Sequence, residues 1–170
     1  MTIHTKWALY LGVHLSLSIS LGSEEVSRAK AKLVVQGPVL DGKLDDPCWE
    51  GLPVIKDFRQ RRPNEGFAET EKTEVRLCRD SNFLFIGVRC FDSQPDQIRA
   101  GVMQRDAPVR GDDYFFILID PFSRGRDGYY FRTNANGAKG EALINSDMSR
   151  PKMDWDTIWE VRSQKDNLGW

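Results

Sequence analysis

Histidine is nearly missing from this 170-residue chain: the two present, His4 and His14, both fall in the first 14 positions. Beyond them the commonest general base in enzymes is absent, and so is the usual zinc ligand. Cysteine is scarce as well, and three is an odd number, which speaks against a disulfide framework. Cys78 and Cys90 fall on neighbouring predicted strands, where Cys78 faces a residue near Leu84. Cys90 lies about six residues further along, an offset of roughly 20 Å that no disulfide spans. Buried free thiols are the expected state. Neither charge sign dominates, with 24 basic against 25 acidic residues, so nothing favours nucleic acid or an anionic membrane as partner. No GxSxG elbow, phosphate-binding glycine loop, HExxH pair or cysteine–histidine dyad occurs. Catalysis is therefore expected to lie outside this chain.

The one long uncharged stretch is at the start. Lys6 precedes Trp7 to Leu21, and Ser20-Leu21-Gly22 places small residues at the −3 and −1 positions of a cleavage site. Residues 1–22 read as a secretory signal peptide, with Ala29-Lys30-Ala31 as a second candidate cut. At 15 residues the run is too short to span a bilayer as a helix. Secreted, periplasmic or cell-surface placement follows. Residues 23–38 form a linker with a first strand at Leu33 to Val35, and residues 39–170 the folded domain.

Within that domain, Asp45-Asp46-Pro47 predicts a one- or two-turn helix with an aspartate cap and an early proline, running into Cys48, Trp49 and Leu52. Trp49 is expected in the core. From Thr73 onward the pattern is β. Thr73 to Arg79 alternates, with Val75 and Leu77 inward; Phe83 to Phe91 is apolar on both faces and predicts a central strand. Ser93 to Gly111 is mostly connection. Tyr114 to Ile119, Gly128 to Ala135 and Lys139 to Asn145 are three further strands, the last two joined by the hairpin signal Asn136-Gly137. Ser146 to Asp156 reads as loop, Thr157 to Ser163 as a strand, and Gly169-Trp170 as the entry to another. Short strands joined by turns, with almost no helix, indicate an all-β fold, an antiparallel sandwich or barrel. A strand omitted after Trp170 would leave a bare sheet edge, so the domain is expected to continue past it.

Side chains along a strand alternate, so Tyr130, Arg132 and Asn134 share one face. A guanidinium beside a carboxamide and an aromatic ring suits a ligand rich in hydroxyls, which makes a sugar the first to consider. Trp155, in a loop before the predicted strand that carries Trp159, is the better replacement platform for stacking. Asp112, Asp113, Asp120 and Asp127 lie at strand ends, where hard oxygen ligands can hold calcium.

The motif DGKLDDPCWE, Asp41 to Glu50, followed in order by TEVRLCRDSNFLFIGVRCFD, GDDYFFILIDPF and GYYFRTNANG, resembles carbohydrate-binding module family 9 over Val39 to Trp170. More closely, it is similar to the family-9-like domain at the amino terminus of large secreted bacterial proteins. The resemblance implies a two-sheet β-sandwich, often with bound calcium, that binds glucan or xylan ends beside glycoside hydrolases in carbohydrate catabolism. It matches Arg132 and Asn134 to the arginine and asparagine that bond the sugar. It places Phe116 where the family has a carboxylate and Arg110 near its first stacking tryptophan. Polysaccharide or oligosaccharide is then the expected partner, alongside a catalytic or membrane-associated domain downstream. These two departures also allow a structural or docking sandwich that has lost sugar binding.

Overall fold

A computed structural model describes residues 29–123, 127–145 and 151–170. The signal-peptide expectation for residues 1–22 lies outside them. The architecture is all-β, in two small three-stranded sheets. The first has the order β1-β2-β3, from β1 (Lys32–Leu33), β2 (Thr73–Arg79) and β3 (Leu84–Cys90). The second has the order β4-β5-β6, from β4 (Tyr114–Ile119), β5 (Gly128–Asn134) and β6 (Lys139–Ile144). Every pairing is antiparallel except that of β1 with β2. Among the described residues no helix is long and apolar enough to cross a membrane.

The first sheet is built around Cys78, Trp49 and Leu52, with Val34, Leu44, Cys48 and Phe85 packed against them. Trp49 enters from a single 3₁₀ turn, Pro47–Trp49, the short end of the one- or two-turn helix expected there. Asp46 does not cap that turn with its side chain; its Oδ1 instead accepts from the Val39 amide at 3.3 Å. Pro53 follows within a few residues, and it leaves no room for a second turn. The tryptophan lies over Gly87, where an added Cβ would stand 2.8 Å from Leu44 and 3.1 Å from the indole. This close approach explains a glycine inside an otherwise apolar strand.

β2, not β3, is the central strand of this sheet. Apolar residues on both faces of β3 did not make it central, because sequence pattern cannot separate cover on a face from neighbours within the sheet. The end of β3 pairs with the last residues of the sequence. Cys90 and Trp170 exchange both backbone hydrogen bonds, at 2.8 and 2.9 Å, and Arg89 pairs with Asp166 at 2.5 Å. Residues 157–163 form no strand. They run extended beside the second sheet, and exposed and half-buried positions alternate there as in a strand. What they lack is the ladder: Lys139 Nζ bonds the Trp159 carbonyl at 2.9 Å, in place of a backbone pair.

Candidate functional site

Three of the four residues suggested by the sequence, Tyr130, Arg132 and Asn134, lie on one face of the second sheet. Register places Tyr114 opposite Asn134, Phe116 opposite Arg132 and Leu118 opposite Tyr130. Directly paired residues share a face, so all six side chains stand on the same side. The two ends of that face differ.

At the Asn134 end, the connection between β3 and β4 crosses the sheet and closes it. Asn134 is fully buried and its carboxamide is saturated. Its Nδ2 donates to the Val102 carbonyl at 2.7 Å and to Asp112 Oδ2 at 2.8 Å. Its Oδ1 accepts from the amides of Asn136 at 3.1 Å and Ala138 at 3.0 Å, which braces the β5–β6 hairpin. Four bonds use the full capacity of a carboxamide. Asp112 accepts from the Gly101 and Val102 amides as well, and these donors, with Asn134, hold its carboxyl below the usual aspartate range.

Arg132 is half-buried beside this knot. Its Nη2 donates to the carbonyls of Asp106 at 3.1 Å and Ala107 at 3.0 Å. The guanidinium lies flat over Gly140 on β6, where a Cβ would come within 2.5 Å of Nε. Arg132 therefore ties the crossing segment to the sheet, and a hydroxylated ligand would have to share it with two backbone carbonyls.

The other end stays open. Tyr114 and Phe116 are each 46% exposed, and Tyr130 is half-buried between Phe116 and Arg132. Ring centroids are 6.2 Å apart for Tyr114–Phe116 and 5.5 Å for Phe116–Tyr130. Burial pushes the Tyr130 phenol's pKa up, and the nearby Arg132 cation opposes the shift. The result is a strip of three tilted rings with phenolic groups at its margin. Tyr114 was not singled out from the sequence, and Phe116 only as a departure. Counting the register back across the 120–127 turn is the signal that would have found both.

Trp155 does not join this strip. It packs on the opposite face, 5.0 Å from Tyr129 and 6.3 Å from Phe131. Trp159 follows at 5.3 Å from Phe131 and donates Nε1 to the buried Glu141 at 3.0 Å. Arg105 reaches the other oxygen of the same carboxylate. The four residues suggested by the sequence thus fall on two faces: Tyr130, Arg132 and Asn134 on one, Trp155 on the other.

The acidic positions do not converge on an ion. Asp112 and Asp113 line an open depression of about 450 Å³ with Glu71, Asp92 and Arg99. Asp113 accepts from the Arg99 amide at 2.8 Å, and Glu71 binds the amide and hydroxyl of Ser93. Asp120 accepts from Phe122 N at 3.0 Å, beyond the far end of β4. Among the described residues, no group of three or more histidine, cysteine or carboxylate side chains comes together to hold a metal. No protein-family profile, curated protein or solved structure matches this chain.

Proposed function

We propose that the chain is a secreted, non-catalytic carbohydrate-binding module whose two sheets are the halves of a family-9-type β-sandwich. The observation that carries the reading is the aromatic strip on a rigid sheet, with Tyr114 and Phe116 exposed and Tyr130 half-buried beside them. Aromatic faces pack against the C–H faces of a pyranose, and the phenolic groups of Tyr114 and Tyr130 bond its hydroxyls. Glucan- and xylan-type chains, whose flat β-linked sugars present such faces repeatedly, are the ligand class. Arg132 and Asn134 act behind the strip: they fix the strand that carries Tyr130 and do not themselves close on the sugar. Any hydrolysis belongs to another domain of the parent protein, and calcium is not needed for the stacking surface.

Titration calorimetry of the chain with xylo- and cello-oligosaccharides tests this. Binding is expected, and Phe116→Ala should weaken it about tenfold, the loss of roughly one aromatic stack. Absence of heat with every oligosaccharide, from folded protein, would overturn it. A second reading is favoured by the saturation of Asn134. With the carboxamide fully bonded inside the fold, the module is a docking or structural unit, and the aromatic strip meets another protein surface. In that case the Phe116→Ala chain would lose association with its neighbouring domain while sugars remain without effect.

A further inference from the structure

Two of the three thiols meet in the core of the first sheet. Cys48 sits in the 3₁₀ turn Pro47–Trp49, and Cys78 lies on the central strand β2. Cys48 packs against the cluster formed by Cys78, Trp49 and Leu52. Neither is bonded to the other as it stands; all three cysteines are free thiols. Cys90 is remote from the pair. The register sets Cys78 opposite Phe85 and Cys90 opposite Thr73, at the two ends of the β2–β3 ladder. The odd cysteine is thereby assigned by topology.

We infer that Cys48 and Cys78 form a disulfide when the chain meets a thiol oxidant, a covalent staple from the turn bearing Trp49 to β2. The two are 30 positions apart in sequence and belong to one packed cluster in the fold. Closure therefore restricts the unfolded chain while it asks for little movement in the folded one. The route is thiol–disulfide exchange with a small disulfide such as oxidised glutathione. Cys48 is partly exposed and Cys78 is fully buried, so the first attack falls to Cys48. Its sulfur bonds one glutathione sulfur, the glutathione S–S bond breaks, and one reduced glutathione leaves with the proton. Cys78 then attacks the Cys48 sulfur; the mixed bond breaks, and a second reduced glutathione departs with the Cys78 proton. Two protein thiols are oxidised and one glutathione disulfide is reduced. Burial pushes Cys78 to about 11, which leaves little thiolate at neutral pH and makes this second step the slower one.

The test takes the full chain, reduced and then equilibrated with excess oxidised glutathione, quenched with an alkylating reagent and mapped by mass spectrometry after proteolysis. The expected result is a linked pair of peptides containing Cys48 and Cys78, with Cys90 alkylated. The oxidised chain should melt about 5 °C or more above the reduced one. Cys90→Ser should keep the linked pair and the shift. Cys48→Ser, at the partly exposed position, should abolish both while leaving a folded protein. A stable glutathione adduct on Cys48 without the linked peptide, or a bridge to Cys90, would overturn the inference. So would a linked pair that leaves the melting temperature unchanged or lowers it.

Discussion

Asn134 and Tyr130 lie four residues apart on the same face of the same strand, and they meet opposite conditions. Around Asn134 the crossing segment 99–113 delivers a carbonyl and a carboxylate, and the hairpin delivers two amides. Around Tyr130 the neighbours on that face are the Phe116 ring, Leu118 and Arg132, and Phe116 and Tyr114 stay exposed. A strand fixes which side its residues face. Whether that side is interior or surface depends on chain that passes over it from elsewhere. The same comparison separates two meanings of a polar residue on a strand: one is a brace, the other stays half-buried at the surface.

The sharpest way to break this contrast is Asn134→Ala. It strands buried donors and acceptors at four points, and it should cost about 3 kcal/mol or more in urea unfolding. A cost under about 1 kcal/mol would mean that the covered end is not a brace at all. Gly140→Ala drives a methyl into the Arg132 guanidinium and should cost about 2 kcal/mol by the same measurement. Trp159→Phe removes the indole donor from buried Glu141 and should cost about 1.5 kcal/mol, with the Phe131 packing kept.

Acid sharpens the comparison by a different route. Hydrogen bonds from Val102, Gly101 and Asn134 depress the Asp112 carboxyl, so its contribution is present in full above the ordinary aspartate value of 3.8. It is lost as pH falls below that value through the depressed folded one. A melting-temperature series across that range should fall less steeply for Asp112→Asn than for the parent chain. The smallest stability effect is expected at the open end. Phe116→Ala should change unfolding free energy by about 0.5 kcal/mol or less, while it removes most oligosaccharide binding. If it destabilised as much as Asn134→Ala, the two ends would be alike and the strip would be core.

Much of this was legible in the residues themselves. Thr73 to Arg79 alternates and Tyr114 to Ile119 is apolar on both faces, and both strands have the bounds those patterns predict. Asn136-Gly137 marked the hairpin, with the glycine at φ +77°. Nothing local revealed that Val102 and Asp112 would meet Asn134, because those contacts span 32 and 22 positions. Thr157 to Ser163 has the alternation of a strand and the exposure pattern of one, yet no backbone partner lies in register. Alternation reports which side is covered; it does not report pairing. Trp155 was misplaced for the same reason, since its sheet face depends on where the chain returns.

The final twenty positions bind both halves of the molecule. Lys152 pairs with Leu143 on β6, Gln164 bonds the Asp41 carbonyl at 2.9 Å across 123 positions, and Trp170 closes on Cys90. Contacts of such long sequence separation form late. During synthesis, then, the Cys90 end of β3 makes its two backbone bonds to Trp170 only after that residue has left the ribosome.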